Sequence, residues 1–235
     1  MQYRYLIFDV DNTLLDFGAV FYGTQPAIAA ALGVECDDAF RKLDEECGWR
    51  AWMENGLENT QSEDVQQNYH RYYDRYVLGR YRYLLEKTGI PGKAEELAQV
   101  YLEKAANIKT PMESNSLEVY RKLAEKYRLV IATNGTHSMQ MSRLEDFLPY
   151  THKVFISEDV GAVKPSLAFF AHMLNALGAK PEECLMIGDS MTNDIMGAKN
   201  AGMDTCYYRP DGKKPEKPVA DYQIRQLEKL FEILP

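Results

Sequence analysis

Short, wholly apolar runs punctuate the chain and stop at polar groups. Tyr5-Leu6-Ile7-Phe8 stops at Asp9, Leu129-Val130-Ile131-Ala132 stops at Thr133, and Cys184-Leu185-Met186-Ile187-Gly188 stops at Asp189. Runs of that length without a polar face fit strands buried on both sides, as in a parallel sheet. From Ser116 onward, strand-like and helix-like patterns alternate. Helices are expected over 117–127, 138–147, 166–177 and 193–201, and strands over 129–133, 153–157, 184–189 and 204–208. A last helix is expected over 224–233. The alternation predicts an α/β fold: a Rossmann-like parallel sheet core with helices on both faces.

Between the first strand and the next, the pattern is helical almost throughout. Residues 20–32 are apolar at helical spacing, and Pro26 is expected to kink or restart that helix. Residues 38–54 form a second helix carrying Trp49 and Trp52. Thr60-Gln61-Ser62-Glu63 reads as a capping box opening a long tyrosine-rich helix. Gly89-Ile90-Pro91-Gly92 breaks that helix, and 93–106 is a fourth. A simple crossover needs far fewer residues. The expected organisation is therefore a catalytic core from 1–15 and 113–235, with an α-helical cap domain inserted over 16–112. Residues 213–218 read as a short Lys/Pro loop.

The strand ends carry the candidate chemistry. Ligands of open α/β sheets bind at the carboxyl ends of the strands. If the three strands are neighbours, Asp9, Thr133 and Asp189 converge on one point. Asp11 follows two residues after Asp9, Asp194 five after Asp189, and Lys164 precedes Pro165 on an intervening loop. Four carboxylates around one lysine repel one another, and a divalent cation resolves the conflict. Oxygen-only ligands point to Mg²⁺.

Composition narrows the partners. The 235 residues carry a formal net charge of -8, with 46% hydrophobic and 26% charged residues. That balance argues against a nucleic-acid polymer or an anionic membrane as partner. A small phosphorylated metabolite remains compatible, because a bound metal reverses the local potential. The four cysteines form no CxxC pair. Reduced thiols, and the lack of a signal-peptide or membrane-spanning pattern, lead us to expect a cytoplasmic protein.

Taken together, Asp9-Val10-Asp11-Asn12-Thr13-Leu14, Thr133-Asn134-Gly135, Lys164-Pro165 and Gly188-Asp189-Ser190-Met191-Thr192-Asn193-Asp194 resemble, in order, the four motifs of the haloacid dehalogenase (HAD) superfamily. The segments around them, with the C-terminal "YQIRQLEKLFEIL", are similar to the bacterial pyrimidine 5′-nucleotidase (YjjG-like) branch. The resemblance implies that Asp9 is a nucleophile forming an aspartyl-phosphate. It implies that Asp11 is the general acid and then the base, with its backbone carbonyl on Mg²⁺ beside Asp9 and Asp189. Asp194 assists the metal directly or through water. Thr133, Asn134 and Lys164, with the amides near Val10 and Asn134, would hold phosphoryl oxygens.

The resulting expectation is a Mg²⁺-dependent phosphomonoesterase, a HAD-type 5′-nucleotidase acting on pyrimidine nucleoside 5′-monophosphates. The alternative is a sugar-phosphate phosphatase or phosphomutase of the β-phosphoglucomutase or phosphoglycolate phosphatase kind. Haloacid dehalogenation is disfavoured, since it needs neither Asp11 nor a metal. A non-catalytic binding protein is disfavoured because no motif residue is missing. Asp194 and Asn134 also have bland readings, as a helix-start residue and a turn residue. On the helical insert, Trp49, Arg50 and Trp52 form a cluster. It reads either as core packing or as a base-stacking, substrate-selecting surface. The tyrosines of the third helix read as bundle packing, and His137 as a residue near the second motif.

Overall fold

The computed structural model describes residues 3–212 and 219–234. The Lys/Pro loop expected at 213–218 lies outside the described residues. In chain order, strand β1 (Tyr5–Phe8) is followed by helices α1 (Phe17–Leu32), α2 (Asp38–Glu54), α3 (Glu63–Thr88) and α4 (Ala94–Ala105). Then come α5 (Ser116–Ala124), β2 (Arg128–Thr133), α6 (His137–Arg143), β3 (Thr151–Ile156) and the single-turn α7 (Ser157–Val160). The chain continues with α8 (Leu167–Leu177), β4 (Cys184–Gly188), α9 (Gly197–Asn200), β5 (Asp204–Tyr208), β6 (Tyr222–Ile224) and α10 (Leu230–Ile233). Two compact units result: Met1–Asp16 with Lys109–Pro235, and Phe17–Ile108. No described helix is long and apolar enough to cross a membrane.

The first unit is built on a six-stranded sheet in the order β3-β2-β1-β4-β5-β6, every pair parallel. Side chains alternate across it, as the pleat requires. Leu6, Phe8, Leu129, Ile131, Leu185 and Ile187 pack on one face with Val119, Tyr120 and Leu123 of α5. Tyr5, Ile7, Val130, Ala132, Cys184 and Met186 pack on the other with Phe169, Phe170 and Met173 of α8. The central strands are therefore buried on both faces, which is why they read as unbroken apolar runs. The chain runs outward from β1 through β2 to β3 and then returns to β4 on the other side of β1, so β1 and β4 flank the switch point where such sheets bind ligands.

Near the C-terminus the structure departs from the sequence pattern. Residues 222–224 form strand β6, paired with Cys206–Tyr208, and not the start of a helix. The expected helix is reduced to a 3₁₀ turn at Leu227–Lys229 and the single turn α10. Leu227 and Leu230 are buried against the sheet, so the segment is fixed by core packing rather than by helical periodicity. The boundary of the first unit also reaches further than 15 and 113. The Asp16 amide donates to the Thr110 carbonyl at 2.9 Å, and the Met112 amide to that of Leu14 at 2.9 Å. Asp16 and residues 109–112 thus belong with the sheet.

The second unit is the four-helix bundle α1–α4. Pro26 does not break α1, which runs unbroken from Phe17 to Leu32. Proline has no N–H to give the Tyr22 carbonyl, and Arg41 Nη1 reaches that carbonyl at 3.5 Å instead. Helix α3 begins at Glu63, so Ser62 and not Thr60 stands at its N-cap position, without a side-chain cap bond. Gln66 Nε2 donates to the Thr60 carbonyl at 2.9 Å. Gly89 closes α3 in the left-handed conformation, φ 67°. Inside the bundle, Arg80 and Asp44 form a fully buried bidentate pair at 2.9 and 2.5 Å, with Gln25 Nε2 on the same carboxylate at 3.0 Å. The Arg80 guanidinium lies 4.2 Å from the centre of the Phe21 ring. Tyr69, Tyr76 and Tyr81 are buried, in keeping with the packing expected of the tyrosines.

Candidate active site

The three motif strands are neighbours, so the first unit brings their polar ends together. Asp9 follows β1 and its amide donates to the Ile187 carbonyl of β4 at 2.9 Å, which extends the pairing into the site. Lys164 is the hub. Its buried ammonium donates to Asp9 Oδ1 at 2.7 Å, Asp194 Oδ1 at 2.6 Å and the Ala132 carbonyl at 2.8 Å. All three of its N–H groups are thereby committed. Asn134 holds the loop in register: its amide donates to the Lys164 carbonyl at 2.9 Å and accepts from the Lys164 amide at 2.9 Å. Thr133 ends β2 with its hydroxyl 3.4 Å from the Asn134 carbonyl.

Asp189 and Asp194 arrive through a different local structure. After β4, Ser190 accepts a hydrogen bond from the Asn193 amide at 3.1 Å. The Asp194 and Ile195 amides both reach the Ser190 carbonyl, at 3.0 and 3.2 Å. The helix expected over 193–201 therefore begins as a wide π-type turn, Met191–Met196, and narrows only at α9. This turn carries Asp194 back under the strand end, where Oδ2 accepts from the Ser190 amide at 3.0 Å. Gly188 makes room for it: a Cβ there would sit 2.2 Å from Asp194 Oδ2. Thr13 steadies the opposite wall by accepting from the Asp189 amide at 3.1 Å.

One carboxylate oxygen from each of Asp9, Asp189 and Asp194 lies within 4.8 Å of the others. This donor set fits a hard divalent cation, since every ligand is a carboxylate oxygen. The electrostatics point the same way. Burial is the largest influence on Asp9; with the Asp194 and Asp189 charges it outweighs Lys164 and pushes the carboxyl well above its usual range. Burial and the Asp194 charge likewise push Asp189 up to about 7. Burial opposes the charge on Lys164, but Asp194 and Asp9 outweigh it and hold the ammonium above its ordinary range. The cluster is thus short of positive charge at neutral pH.

Asp11 stands apart from this network. Arg143 Nη1 meets its Oδ1 at 2.5 Å and Gln140 Nε2 its Oδ2 at 3.0 Å. Both partners are on α6, and the sequence reading missed them. Their only signal was two polar residues at helical spacing among the apolar positions Met139 and Leu144. His137 is exposed, with Nδ1 2.9 Å from Asp159 Oδ2.

In the helical unit the cluster expected on α2 divides. Trp49 is 58% exposed, which overturns the core reading for that residue. Trp52 packs edge-on against Tyr76 with centroids 5.2 Å apart. Arg50 lies over Tyr83 at 3.8 Å and donates to Glu54 at 3.0 Å.

A parallel sheet with this strand order, bearing a lysine-centred carboxylate cluster at its strand ends, defines a hydrolase class. A sequence model of the haloacid dehalogenase-like hydrolases matches residues 3–202, and the chain belongs to that family. Its relatives include the HAD-hydrolase YfnB of Bacillus subtilis (strain 168), 32% identical over 99% of this chain and 96% of that protein. The pyrimidine 5′-nucleotidase PynA of Streptococcus pneumoniae (strain ATCC BAA-255 / R6) is 31% identical over 89% of this chain and 85% of its own length. The orthorhombic crystal structure of YfnB bound to magnesium, which reveals interdomain movement, superposes with a TM-score of 0.84. It is 29% identical and covers 100% of this chain and 99% of that one.

Proposed function

We propose that this hydrolase is a Mg²⁺-dependent phosphomonoesterase that works through an aspartyl-phosphate on Asp9, with pyrimidine nucleoside 5′-monophosphates as preferred substrates. The observation that carries the reading is the three-carboxylate cluster converging on Asp9. Asp9, Asp189 and Asp194, with the Asp11 carbonyl, would hold the cation, which when bound supplies positive charge to the phosphoryl oxygens. Lys164 fixes the direction of Asp9 and Asp194, so the nucleophile needs little reorganisation before attack. Asp9 Oδ forms the bond to phosphorus as the ester bond breaks, and Asp11 gives its proton to the departing alcohol. Water then attacks phosphorus, the bond to Asp9 breaks, and Asp11 takes the proton. The Asn134 side chain is engaged by the Lys164 backbone. Its part toward phosphate is therefore its backbone amide, beside the Thr133 hydroxyl.

The metal requirement gives a pH test. The Asp189 carboxyl is pushed up to about 7, against an unfolded value of about 3.9. Between those values the folded chain holds a proton that the unfolded chain does not. Metal-free stability therefore falls as pH rises through that window and levels off above it. Mg²⁺ needs the ionised carboxylates, so its stabilising effect grows over the same window. The increase in Tm at saturating Mg²⁺ is expected to be larger at about pH 8 than at about pH 6. Equal increases would contradict the assignment.

Substrate preference rests on the likeness to PynA and on the helical unit, which we assign the role of the selecting cap. Trp49 offers it an exposed indole. Stacking a base on an aromatic ring contributes about 1–3 kcal/mol. Trp49→Ala is therefore expected to lower kcat/KM for uridine and thymidine monophosphates by roughly ten- to a hundredfold, and that for sugar phosphates little. The decisive experiment is kcat/KM across pyrimidine and purine monophosphates and sugar phosphates, with and without Mg²⁺. A sugar phosphate preferred by about tenfold or more sinks the nucleotidase reading. Full activity in chelator after metal removal sinks the metal-dependent one.

A further inference from the structure

We propose that Gln140 and Arg143 are positioning residues for Asp11, and that they govern the departure of poor leaving groups rather than attack on phosphorus. The inference rests on the phosphatase reading above.

Each oxygen of the Asp11 carboxylate has its own donor: Arg143 Nη1 on Oδ1 at 2.5 Å and Gln140 Nε2 on Oδ2 at 3.0 Å. Two donors on two oxygens fix both the twist and the swing of the group. The donors are three residues apart on α6 and so project from one face of it. Both are 1% exposed, whereas the Asp11 side chain is 24% exposed. The clamp therefore grips Asp11 from the protein side and leaves its open edge toward solvent.

The rest of the loop is built around this clamp. Gln140 Nε2 also reaches the Asn134 carbonyl at 3.3 Å, tying the pair to the end of β2. Gly135, at φ 153°, lets Gln140 pass: a Cβ there would lie 2.8 Å from Nε2. Ser157 accepts from the Gly135 amide at 3.0 Å, and Glu158 from the His137 amide at 2.7 Å, anchoring the start of α6. A buried guanidinium is costly unless it is well paired. The contact with Asp11 shows where this one is directed.

The two half-reactions separate a positioning role from a structural one. An aryl oxygen of low basicity departs without a proton, so formation of the phosphoenzyme from 4-nitrophenyl phosphate does not need Asp11. An alkyl oxygen, as in a nucleotide, departs with the proton that Asp11 supplies. Breakdown of the phosphoenzyme needs Asp11 in either case, because water must give up a proton as it bonds to phosphorus.

The test is rapid-quench kinetics of the Mg²⁺-loaded full chain with 4-nitrophenyl phosphate and with uridine 5′-monophosphate. Gln140→Met and Arg143→Met are each expected to slow single-turnover cleavage of the nucleotide by about tenfold or more, with little change in KM. The burst rate with the aryl ester should change by less than about threefold, while its steady-state rate falls. Arg143→Lys should recover part of the loss. In an Asp11→Asn background, Arg143→Met should cost nothing further, because residues acting through one another are not additive. Equal losses with both leaving groups, or additive losses in the double variant, overturn the proposal while leaving the phosphatase reading standing. If the unmutated chain hydrolyses neither ester, the phosphatase reading falls and this inference falls with it. Should Arg143→Met fail to fold, Gln140→Met, which removes no charge, carries the same comparison.

Discussion

Asp9→Asn is expected to reduce turnover by at least about four orders of magnitude, the scale seen when one member of a cooperating catalytic group is removed. The amide oxygen is a poor nucleophile and a weaker ligand for a hard cation. The fold should be unharmed. Asn can still accept the hydrogen bond that Lys164 now gives Asp9 Oδ1 at 2.7 Å. Burial and the neighbouring carboxylates already disfavour the charged form of Asp9. Metal-free Asp9→Asn should therefore be as stable as the unmutated chain, or more so, and should lose most of the stabilisation by Mg²⁺. Steady-state rates, with mass spectrometry of acid-quenched enzyme, check this. Turnover above about 1% of the original, or phosphate trapped on another residue, would refute the role given to Asp9.

Lys164→Met has the opposite signature, a large loss of stability that a cation partly restores. The Lys164 ammonium is 2% exposed on its side chain and sits between Asp9 and Asp194 at 2.7 and 2.6 Å. Removing one partner from a buried ionic network costs about 3–5 kcal/mol, because the remaining charges stay buried and uncompensated. In chelator this is a fall in Tm of roughly 10 °C. Mg²⁺ can neutralise the same carboxylates, so saturating metal should recover part of that fall. Activity should remain low, since the direction of Asp9 is no longer fixed. A variant whose Tm in chelator matches the unmutated chain would show that Lys164 is not the hub.

Asp9, Thr133 and Asp189 were legible in the sequence because each ends an apolar run long enough to be a central strand, and Asp11, Lys164 and Asp194 only through their place in the motifs beside those ends. That β1, β2 and β4 are neighbours was a condition of that reading, and the pairing of β1 with both strands meets it. Other features left no such trace. Strand β6 spans only Tyr222–Ile224, too short for an alternation to register. The wide turn at 191–196 depends on two amides sharing the Ser190 carbonyl, a choice made by the buried Asp194 and not by helical periodicity. Pro26 reads as a helix breaker, and only a guanidinium fifteen residues further along the chain relieves it. Gln140 and Arg143 escaped notice because their partner, Asp11, lies 129 and 132 residues away. Trp49 looked like core by residue type, yet its ring is exposed.

The path by which the chain leaves and re-enters the sheet unit has a consequence for the helical insert. Leu15 bridges Pro111 in antiparallel fashion, and the flanking amides of Asp16 and Met112 close onto Thr110 and Leu14. The two stems are stitched together before the bundle begins. To the sheet, everything between them is a loop whose ends are already joined. The entropy of closing a loop rises only logarithmically with its length, about 0.6 kcal/mol per doubling. A bundle of another size or sequence can therefore be grafted onto these stems with little penalty to the strands. Replacing Phe17–Ile108 by a bundle of another size is expected to leave the fold of the sheet unit intact.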